Sequence, residues 1–321
     1  MKLKRAFEGF LFHKEADGMA PNTINSYRRN LAEFAAFCAT LNIAELQAVT
    51  PDHVRRYLYH LRSPARNLSA KTVKNQWTTL SSFYTCAAVE LKIPHVLRDH
   101  ISCPKAAAPD IIPLTKDEIV NLLDATEKSK RWKTERRRAV KRRRPEANRD
   151  KAIILMLLDT GIRASELCKL NRADVDLARG LVIIREAKHR MATKTRHVYL
   201  GKTARKALWR YLADREEKSG APIADNDPLI AANYRQTRLD RHAIRRMLYR
   251  CADRAGVNNV YPHRFRHTFA ITYLRNGGDP FTLQALLGHS SLDMVKRYIR
   301  LAEQDCEDVH RRASPADNWR L

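Results

Sequence analysis

Pro262-His263-Arg264-Phe265-Arg266-His267-Thr268 begins with a proline suited to the first turn of a helix, and its apolar positions run on through Phe265, Phe269, Ile271 and Leu274. His263 and Arg266 stand three apart, so an imidazole and a guanidinium fork project from one helical face, as a phosphate would require. A pair of exposed charges on a basic helix has the same pattern. His263 and His267 are four apart, but position 264 is Arg, so the zinc-binding HExxH pattern is absent and no metal is expected.

Three other segments also combine a hydroxyl with a cation or an imidazole. Leu286-Leu287-Gly288-His289-Ser290-Ser291 ends one helix at a glycine and starts the next at a serine, which leaves His289 on the connecting turn. Beyond it, Tyr298 lies among Lys296, Arg297 and Arg300 on a helix where a tyrosine is usually a core or snorkelling residue. Thr160-Gly161-Ile162-Arg163-Ala164-Ser165-Glu166-Leu167 places Arg163 just past a glycine break, where the free N–H groups of a new helix favour an anion. Between these segments the period shortens: Leu181–Ile184 and His197–Leu200 are rich in β-branched residues and flank a basic stretch, as two strands of a hairpin would.

The remainder is helical. Thr115-Lys116-Asp117-Glu118 is a capping box, followed by an apolar helix at Ala152–Leu158, a short helix through Leu167 and Leu170, and helices at Thr203–Arg215, His242–Ala255, Arg264–Arg275, Pro280–Leu287 and Leu292–Ile299. Upstream, Ile24, Tyr27, Leu31, Phe34, Cys38 and Leu41 mark one amphipathic helix. Thr50-Pro51 opens a second with apolar Val54, Tyr57, Leu58 and Leu61, and Val73, Trp77, Leu80 and Tyr84 line a third. Three prolines across 103–113 predict a linker, which separates a helical domain at 1–102 from a second domain at 114–321.

The chain has 321 residues, with 60 Lys and Arg against 35 Asp and Glu, a net charge of +25. At 44% apolar residues it can bury a core, and its longest apolar run is far short of the ~20 residues of a membrane span. A surplus this large points to a polyanion, nucleic acid foremost. The N-terminus has no secretory signal, which predicts a cytoplasmic, nucleoid-associated protein without a membrane partner. Six scattered cysteines suggest neither a disulfide framework nor a zinc ribbon. The segment 128–149 alone carries twelve basic and two acidic residues, including Arg136, Arg137, Arg138, Lys141, Arg142, Arg143 and Arg144. A solvated arm and an ordered DNA-contacting arm both fit that composition.

Taken together, T-G-x-R-x-S-E-L at 160–167, a lysine on a β-hairpin, H-x-x-R at 263–266, and L-G-H followed nine residues later by a tyrosine resemble the tyrosine recombinase, or phage integrase, family. The resemblance covers most of the chain. It implies a mainly α fold with a small β-hairpin or sheet: an N-terminal helical, SAM-like core-binding domain and an α+β catalytic domain that together form a C-shaped clamp around DNA. It implies a site-specific recombinase or integrase, of a mobile element or a chromosome, that cleaves and rejoins double-stranded DNA through a 3′-phosphotyrosyl intermediate and a Holliday junction. The implied assembly is a homotetramer on two DNA sites, monomeric or dimeric off DNA. Type IB topoisomerase-like relaxation, and a catalytically silent DNA-binding regulator, are the alternatives.

By the same resemblance Tyr298 is the nucleophile, Arg163 and Arg266 hold the phosphate oxygens, His263 is the proton acceptor or hydrogen-bond partner near Tyr298, and His289 donates to the phosphate. Glu166 orients Arg163. The hairpin lysine that protonates the leaving 5′-oxygen is Lys188 in preference to Lys194, although the tip His189–Thr193 lacks the family's usual glycines. Lys194 and Arg196 join residues 136–138 and 141–144 as expected DNA contacts. No cofactor is implied. The basic segment 128–149 reads as an insertion, and the tail 301–321, with acidic Glu303, Asp305, Glu307 and Asp308, as a segment that docks on a neighbouring protomer.

Overall fold

The computed structural model describes residues 1–107, 110–127, 144–186, 194–232, 237–289, 291–302, 310 and 314–319. The chain divides into two compact units, Met1–Asp110 and Ile111–Leu321.

The first unit contains helices α1 (Leu3–Ala16), α2 (Pro21–Thr40), α3 (Pro51–Arg62) and α4 (Ala70–Glu90). Each start has a local cause. Thr50 and His53 form a capping box ahead of Pro51, and the Ser69 hydroxyl accepts from the Thr72 N–H at 3.2 Å. The apolar faces of these helices meet in an aromatic core, where Phe83 stands edge-on to Phe7 and Phe10 at 4.8 and 5.6 Å, and Phe34 edge-on to Tyr57 at 5.0 Å. Helix α1 was not anticipated.

The second unit is built around α6 (Ala147–Thr160), whose residues 152–157 are all buried, as expected for a helix apolar on every side. Packed on it are α5 (Lys116–Glu127), α8 (Lys202–Ser219) and α10 (Pro262–Arg275), with α9 (Arg241–Ala255) against α5. The capping box of α5 forms as its sequence predicts: the Thr115 N–H donates to Glu118 Oε2 at 2.8 Å, and the Glu118 N–H to Thr115 Oγ1 at 3.1 Å. Short α7 (Ala164–Lys169) leads into an antiparallel sheet of order β1-β2-β3, made of Val175–Asp176, Leu181–Glu186 and Lys194–Tyr199. The predicted hairpin is therefore present, in the register Leu181 opposite Tyr199 through Glu186 opposite Lys194. β1 is too short to give a periodic signal and was not foreseen. Helices α11 (Pro280–Leu287) and α12 (Asp293–Ala302) close a smaller core of Ala270, Ile271, Leu283, Leu287, Val295 and Tyr298.

The basic segment 128–149 requires a correction at its C-terminal end. Arg144 returns the chain to α5, its N–H bonded to the Glu127 carbonyl at 3.0 Å, and its guanidinium meets Asp150 at 2.9 Å. Arg149 meets the other oxygen of the fully buried Asp150 at 3.0 Å. Both arginines thus belong to the fold of the second unit, because a buried carboxylate must be paired. Residues 128–143, with Arg136, Arg137, Arg138, Lys141, Arg142 and Arg143, lie outside the described residues, as do Glu303, Asp305, Glu307 and Asp308 of the tail.

Candidate active site

Gly161 takes φ +61° at the end of α6, and a Cβ there would stand 2.4 Å from the ring of Phe269. Glycine thus permits both the left-handed turn and the close approach of α10. The turn delivers Arg163 to the start of α7. There Glu166 accepts from the Arg163 N–H at 2.7 Å and from its Nη1 at 2.6 Å. Burial pushes the Glu166 carboxyl up, but hydrogen bonds from Arg196 and Arg163 outweigh it and hold the group down at about 2, so it is ionised beside both cations. Glu166 is thus bonded to Arg163, the residue it was expected to orient.

Arg266 on α10 is 2% exposed. Its Nη1 donates to the Gly161 carbonyl at 2.8 Å and its Nη2 to the Leu287 carbonyl at 2.6 Å, so one fork ties together the ends of α6 and α11. Burial and the neighbouring charge of Arg163 push it down to about 10, and it remains cationic at neutral pH. Neighbouring Arg264 is structural: it donates to the Ile112 and Pro113 carbonyls at 3.1 and 3.2 Å and to the Glu118 carboxylate at 3.0 Å.

Tyr298 is 2% exposed, and its hydroxyl lies 2.9 Å from His267 Nδ1. This corrects the expectation for His263. The phenol's hydrogen-bond partner is the other histidine of the helix, with His263 stacked on it at a ring separation of 5.7 Å. The His289 ring lies nearly parallel to Tyr298, 6.3 Å away, and its Nδ1 is buried with no hydrogen-bond partner among the described residues. Burial together with the surrounding cations lowers all three imidazoles, His267 and His289 to about 4, so both are neutral at pH 7. Burial raises the Tyr298 phenol, with Arg266 and Arg297 pulling the other way.

Arg163 is therefore brought from a hundred residues upstream to His263, Arg266, His289 and Tyr298, which lie within 36 residues of one another on two helices and a turn. Lys188 lies outside the described residues. Lys194 begins β3, and its backbone pairs opposite Glu186. Arg196 was expected to contact DNA and instead points inward: its Nη2 donates to Glu166 at 2.6 Å and its Nε to the Leu286 carbonyl at 2.9 Å. Arg144 is likewise an internal partner, of Asp150. Sequence reasoning passed over His267 as a possible zinc ligand; its place one turn beyond His263 on the same helix was the available signal. Among the described residues no three His, Cys, Asp or Glu side chains gather as metal ligands.

The model of the phage integrase family matches residues 113–305, and that of the phage integrase N-terminal SAM-like domain matches residues 7–90. Tyrosine recombinase XerC of Oceanobacillus iheyensis is 30% identical over 300 residues, covering 93% of this chain and 92% of that protein. The XerC of Thermodesulfovibrio yellowstonii is 31% identical over 313 residues, covering 95% of each. In fold the chain is similar to the Tn1549 transposon integrase in complex with a circular intermediate DNA, with a TM-score of 0.73 at 18% identity, covering 93% of this chain and 95% of that one. It is also similar to a lambda integrase dimer bound to a core site, with a TM-score of 0.69 at 19% identity and the same coverage. By these matches, which span both of its units, the chain belongs to the phage integrase family of tyrosine recombinases.

Proposed function

We propose that this site-specific recombinase cleaves and rejoins double-stranded DNA with Tyr298 as the nucleophile. The observation that carries the assignment is the buried Tyr298 hydroxyl, which faces His267 Nδ1 at 2.9 Å in a cluster that also holds Arg163, Arg266, His263 and His289. The phenolic oxygen attacks the scissile phosphorus, the bond from phosphorus to the 5′-oxygen breaks, and a 3′-phosphotyrosyl ester conserves the bond for resealing by a 5′-hydroxyl. Arg163 and Arg266 offer planar forks to the non-bridging oxygens, where lysine would give only a point charge. His267 takes the phenolic proton, because a phosphate's negative charge beside it raises its basicity. His263 and His289 donate to the phosphate, and Lys188 protonates the leaving 5′-oxygen.

The helical unit at 1–102 grips the core site, and residues 103–113 link it to the catalytic unit. Four protomers on two DNA sites exchange strands through a Holliday junction, with the tail beyond residue 300 docking between neighbours. Residues 128–143 contact the DNA backbone outside the core site. The protein works in the cytoplasm, on the nucleoid or on a mobile element. The test uses duplexes selected by the protein from a random library and rebuilt with a nick, incubated in EDTA. An SDS-resistant adduct forms with the wild type and is absent in Tyr298→Phe, which still binds the duplex. Persistence of the adduct in that variant would falsify the nucleophile assignment, and supercoil relaxation without paired sites would indicate topoisomerase activity instead.

A further inference from the structure

The guanidinium of Arg196 is enclosed where β3, α7 and the turn after α11 meet, with 9% of the side chain exposed. It reaches one oxygen of Glu166 at 2.6 Å, while the other oxygen accepts from Arg163 Nη1 at 2.6 Å. One buried carboxylate is therefore shared by two arginines. The Arg196 Nε bond to the Leu286 carbonyl, 2.9 Å long, reaches the turn that presents His289. Gly288 lets that turn lie directly on the guanidinium: at φ +66°, a Cβ there would come within 3.2 Å of Arg196 Nη1 and 3.3 Å of its Cδ and Cζ.

The charge balance gives this arrangement a purpose. A lone Arg163–Glu166 pair would be neutral, and Glu166 would cancel much of the potential that a phosphate needs. With Arg196 on the same carboxylate the three groups carry a net positive charge, so Glu166 can orient Arg163 without silencing it.

We propose that Arg196 is a positioning residue of the recombination site: it offsets the charge of Glu166 so that Arg163 stays effective toward phosphate, and it clamps the Leu286–His289 turn against β3. It touches no reacting atom. Its action rests on the phosphoryl-transfer function assigned to this site above.

The experiment compares single-turnover cleavage of the nicked duplex by the wild type, Arg196→Gln, Arg196→Lys and the double variant Arg196→Gln/Glu166→Gln. Arg196→Gln should lose about 100-fold in cleavage, the scale of removing one oxyanion-stabilising group, while binding the duplex within about threefold of the wild type. On a duplex whose scissile phosphate is a neutral methylphosphonate, the loss should shrink to about tenfold or less, because the transition state then carries one negative charge fewer for Arg163 to stabilise. Removing the second charge in the double variant should recover about tenfold, and Arg196→Lys should retain more cleavage than Arg196→Gln because it keeps the charge. Equal losses on the two substrates together with no recovery in the double variant would reduce Arg196 to a fold-stabilising residue and overturn the proposal, as would cleavage by Arg196→Gln at the wild-type rate. The free protein supplies an independent arm: followed by NMR, His289 should titrate at a higher pH in Arg196→Gln, since Arg196 is one of the cations that depress it. An unchanged titration would contradict the clamp even if the wild type formed no DNA adduct, a result that would instead overturn the recombinase assignment of Tyr298.

Discussion

The hydroxyl of Tyr298 and Nδ1 of His267 share a short hydrogen bond in a half-buried pocket, and the chemistry depends on which of them holds the proton. Burial, with His263 and the charges of Arg297 and Arg266, leaves the imidazole at about 4, while burial raises the phenol above its ordinary value against the pull of those arginines, so the free protein holds a neutral pair. His267→Asn should reduce single-turnover cleavage by about 100-fold with duplex binding retained, the scale of a general base. A larger loss in His263→Asn than in His267→Asn would return the role to His263. The same pair of shifts makes stability depend on pH. The folded His267 and His289 titrate near 4, below the ~6.5 of an exposed imidazole, so the unfolded chain takes up protons first as the pH falls. Their contribution is complete above about pH 6.5 and is lost toward pH 4. Thermal unfolding should show a falling Tm across that window, flattened in a His267→Asn/His289→Asn variant; parallel curves would contradict it. H-x-x-R spacing revealed the histidine helix, but not which histidine meets a tyrosine 31 residues away, because that depends on how α12 packs.

At the scale of elements, the site consists of helix ends fastened together by arginines. Arg266 bonds the carbonyls that terminate α6 and α11, and these ends exist because Gly161 and Gly288 take left-handed backbone there. Both glycines and the turns they make were legible in the sequence. Gly161→Ala should cost about 1–3 kcal/mol through its positive φ and the overpacking of Phe269, and it should slow cleavage by displacing Arg266. Denaturant unfolding read beside single-turnover kinetics checks this; wild-type values in both would show that the turn is unstrained by a side chain. The hairpin was also legible, from its β-branched runs. The inward course of Arg196 was not: alternation along a strand sets which residues share a face, but not which face is covered by α7 and α11.

For the whole molecule, the charge of +25 divides unevenly between the two units, and part of it is internal. Arg144, Arg149, Arg196 and Arg264 are committed to ion pairs or carbonyls within the second unit and supply shape to the site. Sequence-independent affinity then rests more heavily on exposed cations. Deleting 128–143 while keeping Arg144 should reduce the salt dependence of duplex binding by about 0.9 in slope for each DNA phosphate that the segment had neutralised. Titrations of binding against salt give this directly, and an unchanged slope would show that the segment does not touch DNA. The deletion should leave the second unit folded, since Glu127 and Arg144 are already joined by a backbone hydrogen bond.

The sequence by itself determined the family, the helical character of both units and the tyrosine proposed as the nucleophile, because these rest on residue types at local spacings: a capping hydroxyl, a glycine at a helix end, an H-x-x-R face, a tyrosine nine residues beyond a turn histidine. Only the tertiary structure decided the partners of His267 and Arg196. Whether a histidine meets the phenol, or an arginine is desolvated against a carboxylate, depends on how segments far apart in the chain come together, and that is set by core packing rather than by any local pattern.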